Sequence, residues 1–288
     1  MGLEIKIRFQ IFKKIGIKRF IYLFLLIYGT IWLFIESITL FIPCLKPEGL
    51  LWYVCFVSFS LIVSYIYSIY NLAYSQKLKS LDSTVRLIIG DIFDQNDGHI
   101  VIGTNDVFDT ELGEVIKPTS IQGQFLTKKY SGDVRKLDKD IIDALQLENI
   151  NPIETDTSKT IGKNTRYPIG SCVPLGNVTN RHFMIVYTVM GSDLKCKPTD
   201  INTLWQSMDN LWKIIRKRGQ SLEISMPIIG SDLARTGLTR KELLNLIITS
   251  FVLNSKEELI TSKLNIYIHP KDLEHVNWYE LKELIDKV

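Results

Sequence analysis

The chain has 288 residues, with 34 Lys or Arg against 31 Asp or Glu, a formal net charge of +3. The surplus is confined to residues 1–80, which hold nine basic and three acidic side chains (+6); the remaining 25 basic and 28 acidic residues balance at −3. A slightly acidic main portion argues against nucleic acid as a partner. The four cysteines (Cys44, Cys55, Cys172, Cys196) form no CxxC pair and share no metal-ligand spacing with the histidines, so no metal or cofactor is expected.

Residues 1–74 read as a basic segment followed by two membrane spans, at about 20–42 and 50–70. Each apolar run exceeds the roughly 20 residues that a helix needs to cross a bilayer core. The first run is too long for a signal peptide and no small-residue cleavage site follows it. Basic residues precede the first span and reappear after the second (Lys77, Lys79, Arg86), while the connector 43–49 holds only Lys46 and Glu48. The positive-inside rule therefore predicts a multi-pass membrane protein with cytoplasmic N-terminus and cytoplasmic C-terminal domain. Glu36 lies inside the first span, where a carboxyl costs roughly 2–3 kcal/mol and is often functional. Ser58, Ser60, Ser64 and Ser68 suit close helix–helix approach in the second.

Residues 75–83 read as a polar linker and 84–288 as one ligand-binding domain. "VRLIIGDIF" predicts a strand ended by Gly90, and "HIVIGTN" a second strand. "TSIQGQFLTKKY" predicts a helix capped by Thr119 or Ser120. Residues 131–165 are polar, with a short helical pattern near Ile141–Leu147. "RHFMIVYTVM" is a buried strand. In "DINTLWQSMDNLWKIIRKRG", Ile201, Leu204, Trp205, Met208, Leu211, Trp212 and Ile215 share one helical face. "SLEISMPIIG" is a further strand, and Thr239 with Glu242 forms a capping box for a helix through Phe251. "KLNIYIHP" closes the strand series, and Trp278–Lys287 reads as a final helix. Alternation of this kind predicts an α/β domain with a mixed, mostly parallel central sheet flanked by helices.

Ligands of such sheets bind beyond the carboxyl ends of the strands. Three exits are polar or glycine-rich: Asp91-Ile92; Asn105, Asp106 and Asp109; and Gly230, Ser231, Asp232, Leu233, Ala234, Arg235, Thr236 and Gly237. In the third, glycines admit close backbone approach, N–H groups before a helix attract anions, and Arg235 adds a fork of donors for phosphate. The GK[ST] ending of a Walker A loop is absent.

The order of these signals resembles the macrodomain family of ADP-ribose-binding α/β folds. The resemblance implies that Asp91, beside Ile92, meets an adenine amino group, that Asn105 faces the distal ribose, and that Gly230 through Gly237 surround the diphosphate. It also shows departures. Ile102 replaces the first Asn of the usual strand-end pair, "DVFDTELGEVIKPTSIQGQ" replaces the glycine-rich first loop, and the second loop reads Gly-Ser-Asp. With two spans in front, and with "TNDVFDT" and "SIQGQF", the chain further resembles the membrane effector of type II Thoeris antiphage systems. That resemblance implies a non-enzymatic effector. Its macrodomain would sense an ADP-ribose derivative, histidine–ADP-ribose, made by a partner TIR-domain enzyme. Homo-oligomeric assembly of the hairpins would then disrupt the lipid bilayer, in an abortive-infection response. Asp106 and Asp109 would read a cationic group absent from ADP-ribose. The alternative is a membrane-tethered ADP-ribosyl hydrolase using Asp106 or Asp109 as base.

Overall fold

A computed structural model describes residues 12, 17–43, 49–69, 73–79, 81–95, 97–231 and 235–287. The basic N-terminal segment (apart from Phe12, Ile17, Lys18 and Arg19), the connector residues 44–48 and residues 232–234 of the third exit lie outside the described residues. The chain divides into two units, Met1–Ala73 with Pro270–Glu274, and Tyr74–His269 with His275–Val288.

In the first unit, α1 (Ile17–Phe41) and α2 (Leu50–Ile69) are both long and apolar enough to cross a membrane. They lean on each other through aromatic contacts, Tyr28 and Trp32 against Phe56, with centroids at 5.0 and 6.3 Å. Ser60, Ser64 and Ser68 recur every four residues, one helical turn, and all three are fully buried; Ser58 faces outward. The Ser64 and Ser68 hydroxyls satisfy themselves on carbonyls of their own helix, those of Ser60 and Tyr65. Most other large side chains, among them Leu33, Phe34, Leu51, Trp52 and Phe59, point outward. An outward surface of this kind matches lipid and not water. Glu36 is exposed on α1, not enclosed by the helix pair.

The second unit is a seven-stranded mixed sheet. Its strands are β1 (Ala73–Lys77), β2 (Thr84–Ile89), β3 (His99–Asn105), β6 (Cys172–Asn177), β7 (Asn180–Thr188), β8 (Ile224–Pro227) and β9 (Lys263–Ile268), in the order β1-β2-β9-β8-β3-β7-β6. Strands β2, β9, β8, β3 and β7 run parallel, and β6 pairs antiparallel with β7. A separate two-stranded hairpin joins β4 (Glu154–Thr155) to β5 (Thr165–Arg166). The parallel strands are buried on both faces, as their unbroken apolar runs require.

The helices are α3 (Ile121–Tyr130), α4 (Val134–Leu147), α5 (Ile201–Arg218), α6 (Arg240–Glu257) and α7 (Trp278–Asp286). Ser120 caps α3 by accepting from Gly123 N–H, and Asp200 caps α5 on Thr203 N–H. Both bonds of the Thr239–Glu242 capping box form at α6. Trp212 of α5 is fully buried, and its Nε1–H donates to Ser250 of α6 at 2.9 Å. On one face of the sheet Phe125, Leu137 and Ile141 pack under β3 and β7 with Ile100, Ile102 and Met184.

Four sequence expectations need correction. Residues Ala73–Lys77, read mainly as linker, form the edge strand β1. The helix expected near Ile141–Leu147 begins at Val134, capped by Asp133. Cys172–Asn177, which no predicted strand covers, forms the antiparallel strand β6. Finally, Ile201 and Trp205 are exposed (55% and 39%), because α5 buries the stripe through Leu204, Ser207, Met208, Leu211 and Ile215 instead.

Candidate functional site

Parallel pairing brings the exits of β2, β9, β8 and β3 to one edge of the sheet. With strands about 4.8 Å apart, the Asp91, Gly230 and Asn105 exits fall within three strand spacings. The sheet, not the sequence order, makes the Gly230 exit the neighbour of Asn105, since β8 inserts beside β3.

At the first exit Asp91 sits in extended conformation at the head of a short 3-10 turn, Ile92–Asp94. Its Oδ1 accepts from Phe93 N–H at 2.9 Å, and its Oδ2 accepts from the Lys128 ammonium at 2.6 Å. Lys128 comes from the last turn of α3, and its nitrogen lies 5.0 Å from the centre of the Phe93 ring. The pair is partly open, with side chains 25% (Asp91) and 39% (Lys128) exposed. Burial pushes the Asp91 carboxyl up, but Lys128 and the Phe93 amide outweigh it and hold it below its ordinary value. Ile92, next in the chain, is buried in the core.

The second exit is built differently. The β3–β7 register slips between Thr104 and Asn105, and the chain then turns inward. Asn105 holds the turn: its Oδ1 accepts from the N–H groups of Val107 and Asp109 (3.2 and 3.1 Å), and its Nδ2 donates to Asp109 Oδ2. Asp109 is fully buried against Lys159, whose ammonium lies 3.0 Å from both carboxylate oxygens. Asp109 also accepts from Lys163 N–H at 2.7 Å. Gly162 is obligatory here: its φ is +74°, and a Cβ would stand 2.5 Å from Asp109 Oδ1 and 2.8 Å from Lys159 Nζ. Asp106 bridges three segments. It accepts from Arg166 Nη1 (2.5 Å) and Met190 N–H (2.8 Å), and its own N–H donates to Thr188 O. Arg166 extends to Asp156 and the Met190 carbonyl. Burial works against its charge, but Asp156 and Asp106 outweigh that and raise the guanidinium pKa. Gln122 of α3 ties the floor by donating to Thr104 Oγ1 and Asp109 O, and Gly123 is needed because a Cβ would meet Lys117 O at 2.4 Å.

The expectation that Asp106 and Asp109 face a cationic ligand group therefore meets a different arrangement. Each already faces a cation of its own chain, and Asn105 spends its amide holding the same turn. Gln122 lies within "SIQGQF", but Lys159 and Arg166 carry no motif, and the carboxylates they hold lie 10 to 60 residues away in sequence. Nothing in the local pattern announces these two cations.

At the third exit Gly230 has φ +89° and is packed, with Leu243 Cδ2 3.1 Å from where a Cβ would stand. Arg235 is exposed and adopts φ +45°, and Gly237 has φ +71° with open space around it. Thr236 Oγ1 accepts from Leu238 N–H at 3.2 Å, which shapes the approach to α6. Ser231 is half-buried; Asp232, Leu233 and Ala234 lie outside the described residues. Among the described residues no group of His, Cys, Asp or Glu is arranged to hold a metal ion.

Strand order, the Asp91 exit and the turn before α6 together define a macrodomain. The family model described as "Thoeris protein ThsA, Macro domain" matches residues 85–269, and the chain belongs to that family. A Thoeris protein ThsA of Bacillus amyloliquefaciens (strain Y2) is 27% identical over 208 residues, covering 70% of this chain and 67% of the relative. Solved structures with likeness include an Oceanobacillus iheyensis macrodomain with ADPR (13% identity, TM-score 0.49, 74% of this chain and 99% of that one). The macrodomain of Thermus aquaticus DarG is another (14% identity, TM-score 0.41, 64% and 97%).

Proposed function

We propose that this chain is a membrane-anchored sensor and effector of Thoeris defence. Residues 84–288 bind an ADP-ribose-derived signal, and the spans at about 20–42 and 50–70 act on the bacterial inner membrane. The observation that carries this reading is the convergence of the Asp91, Asn105 and Gly230–Gly237 exits on one edge of a ThsA-type macrodomain. Asp91 offers an acceptor for a base amine, and the Gly230 turn offers backbone close to a diphosphate, with Arg235 exposed beside it. The frame around Asn105 shapes the sugar end.

The signal that fits the resemblance is histidine–ADP-ribose, supplied by a TIR-domain enzyme. Ligand binding favours a homo-oligomer in which the hairpins associate and breach the bilayer. That requires tighter binding to the assembled state than to the resting one. We favour a sensor over a hydrolase because Asp106 and Asp109, the bases a hydrolase would use, are each held by an internal cation.

The test is calorimetric titration of the full chain in lipid nanodiscs with ADP-ribose and with histidine–ADP-ribose. Saturable binding, tighter for the conjugate and lost in Gly230→Glu, is expected. Absence of saturable heat from both ligands would overturn the reading.

A further inference from the structure

Lys128 stands at the site edge, and the reading above leaves it without a role. Its ammonium sits 2.6 Å from Asp91 Oδ2, while Oδ1 is committed to the Phe93 amide. The same ammonium lies over the Phe93 ring at 5.0 Å. A donor group and a ring contact are thus both already supplied to this corner by the chain itself.

We propose that Lys128 is an internal occupant of the base-reading corner, which a ligand's exocyclic amine must displace from Asp91. The proposal rests on the reading that Asp91 meets the base. The geometry suits exchange and not permanent support. Lys128 reaches Asp91 through a flexible four-carbon stem, and the side chains of the pair are 39% and 25% exposed. Such a partly exposed pair is weak, so displacement is within reach of one good hydrogen bond. A base that presents an amine restores the contact that Asp91 loses. A base that presents a carbonyl there cannot, and is left facing a carboxylate unless Lys128 stays. Lys128 therefore holds back an amine-bearing base and not one that presents a carbonyl, and so sets the affinity at which the corner is filled.

The test compares wild type, Lys128→Met and Lys128→Arg as full chains in nanodiscs. The probes are ADP-ribose and its hypoxanthine analogue, which carries a carbonyl in place of the amine. Removing a positive charge near an anionic ligand should weaken binding if Lys128 only attracts phosphate. The proposal expects the opposite: Lys128→Met binds ADP-ribose about fivefold tighter, equivalent to about 1 kcal/mol. The hypoxanthine analogue should gain nothing, and Lys128→Arg should stay near wild type. If wild type binds ADP-ribose and Lys128→Met binds it equally or more weakly, or if both probes improve alike, the proposal is overturned while the sensor reading stands. If no variant binds either probe, the proposal falls, and the sensor reading is decided by the histidine conjugate.

Discussion

The β2 and β3 exits each join a carboxylate to a lysine, yet they are opposite in kind. Asp109 and Lys159 are 0% exposed and share the site with two further N–H donors. Asp91 and Lys128 touch at a shorter distance but are 25% and 39% exposed. Distance alone would rank the open pair as stronger. Burial reverses the ranking, because an uncompensated charge inside the protein costs far more than one that water can reach. The buried pair fixes the shape of the loop after β3, and the open pair is a contact that can be exchanged.

The largest effect expected is therefore from Lys159→Met. It strands the Asp109 carboxylate and should cost about 3–5 kcal/mol, read as a drop in the denaturant midpoint. The double variant Asp109→Asn with Lys159→Met should recover part of that loss. No recovery would mean that Lys159 matters for packing and not for charge.

The next effect tests the other end of β3, at its entry. His182 on β7 is held neutral: burial, then Lys129 and His99, push it down to about 4. His99, at the start of β3, is likewise lowered by burial; its Nδ1 accepts from Arg181 N–H and its Nε2–H donates to Gly219 O. For a histidine lowered in the folded state, the unfolded chain takes up protons first. Its stabilising contribution is complete above the ordinary value near 6.5 and is lost as pH falls towards 4. Stability should fall by up to about 3 kcal/mol between pH 7 and pH 4, and His182→Gln should flatten that slope in pH-dependent unfolding.

Gly162→Ala sharpens the comparison at one atom. The added methyl meets Asp109 Oδ1 and Lys159 Nζ at a left-handed residue, so a loss of about 1–3 kcal/mol is expected in the same unfolding measurement. The smallest stability effect should come from Lys128→Met, within about 0.5 kcal/mol, although its effect on ligand affinity is the larger of its two consequences. A large destabilisation there would put the Asp91 pair in the same class as Asp109–Lys159.

Elements with local periodicity or local caps were legible in the sequence. The α5 stripe from Leu204 to Ile215, the Thr239–Glu242 box and the β3 run from His99 to Asn105 are each set by residues a few positions apart. What was not legible depends on distant partners. Edge strand β1 is polar because one side faces water, so it reads as linker. The β4–β5 hairpin is tied to the loop after β3 by the Arg166–Asp106 pair, 60 residues apart, which its own residues do not advertise. The strand-end carboxylates Asp106 and Asp109 look identical to ligand-facing ones until Arg166 and Lys159 are placed against them. Position at a strand end locates a site, and only the packing says which groups at that site are free to meet a ligand.

The most direct measurement joins the two units of the chain. The full protein is reconstituted in dye-loaded liposomes of bacterial lipid composition and exposed to histidine–ADP-ribose. The account predicts dye release that requires the ligand, saturates with it, and disappears in Gly230→Glu. Release that is independent of the ligand, or none at ligand concentrations that saturate binding, would contradict it.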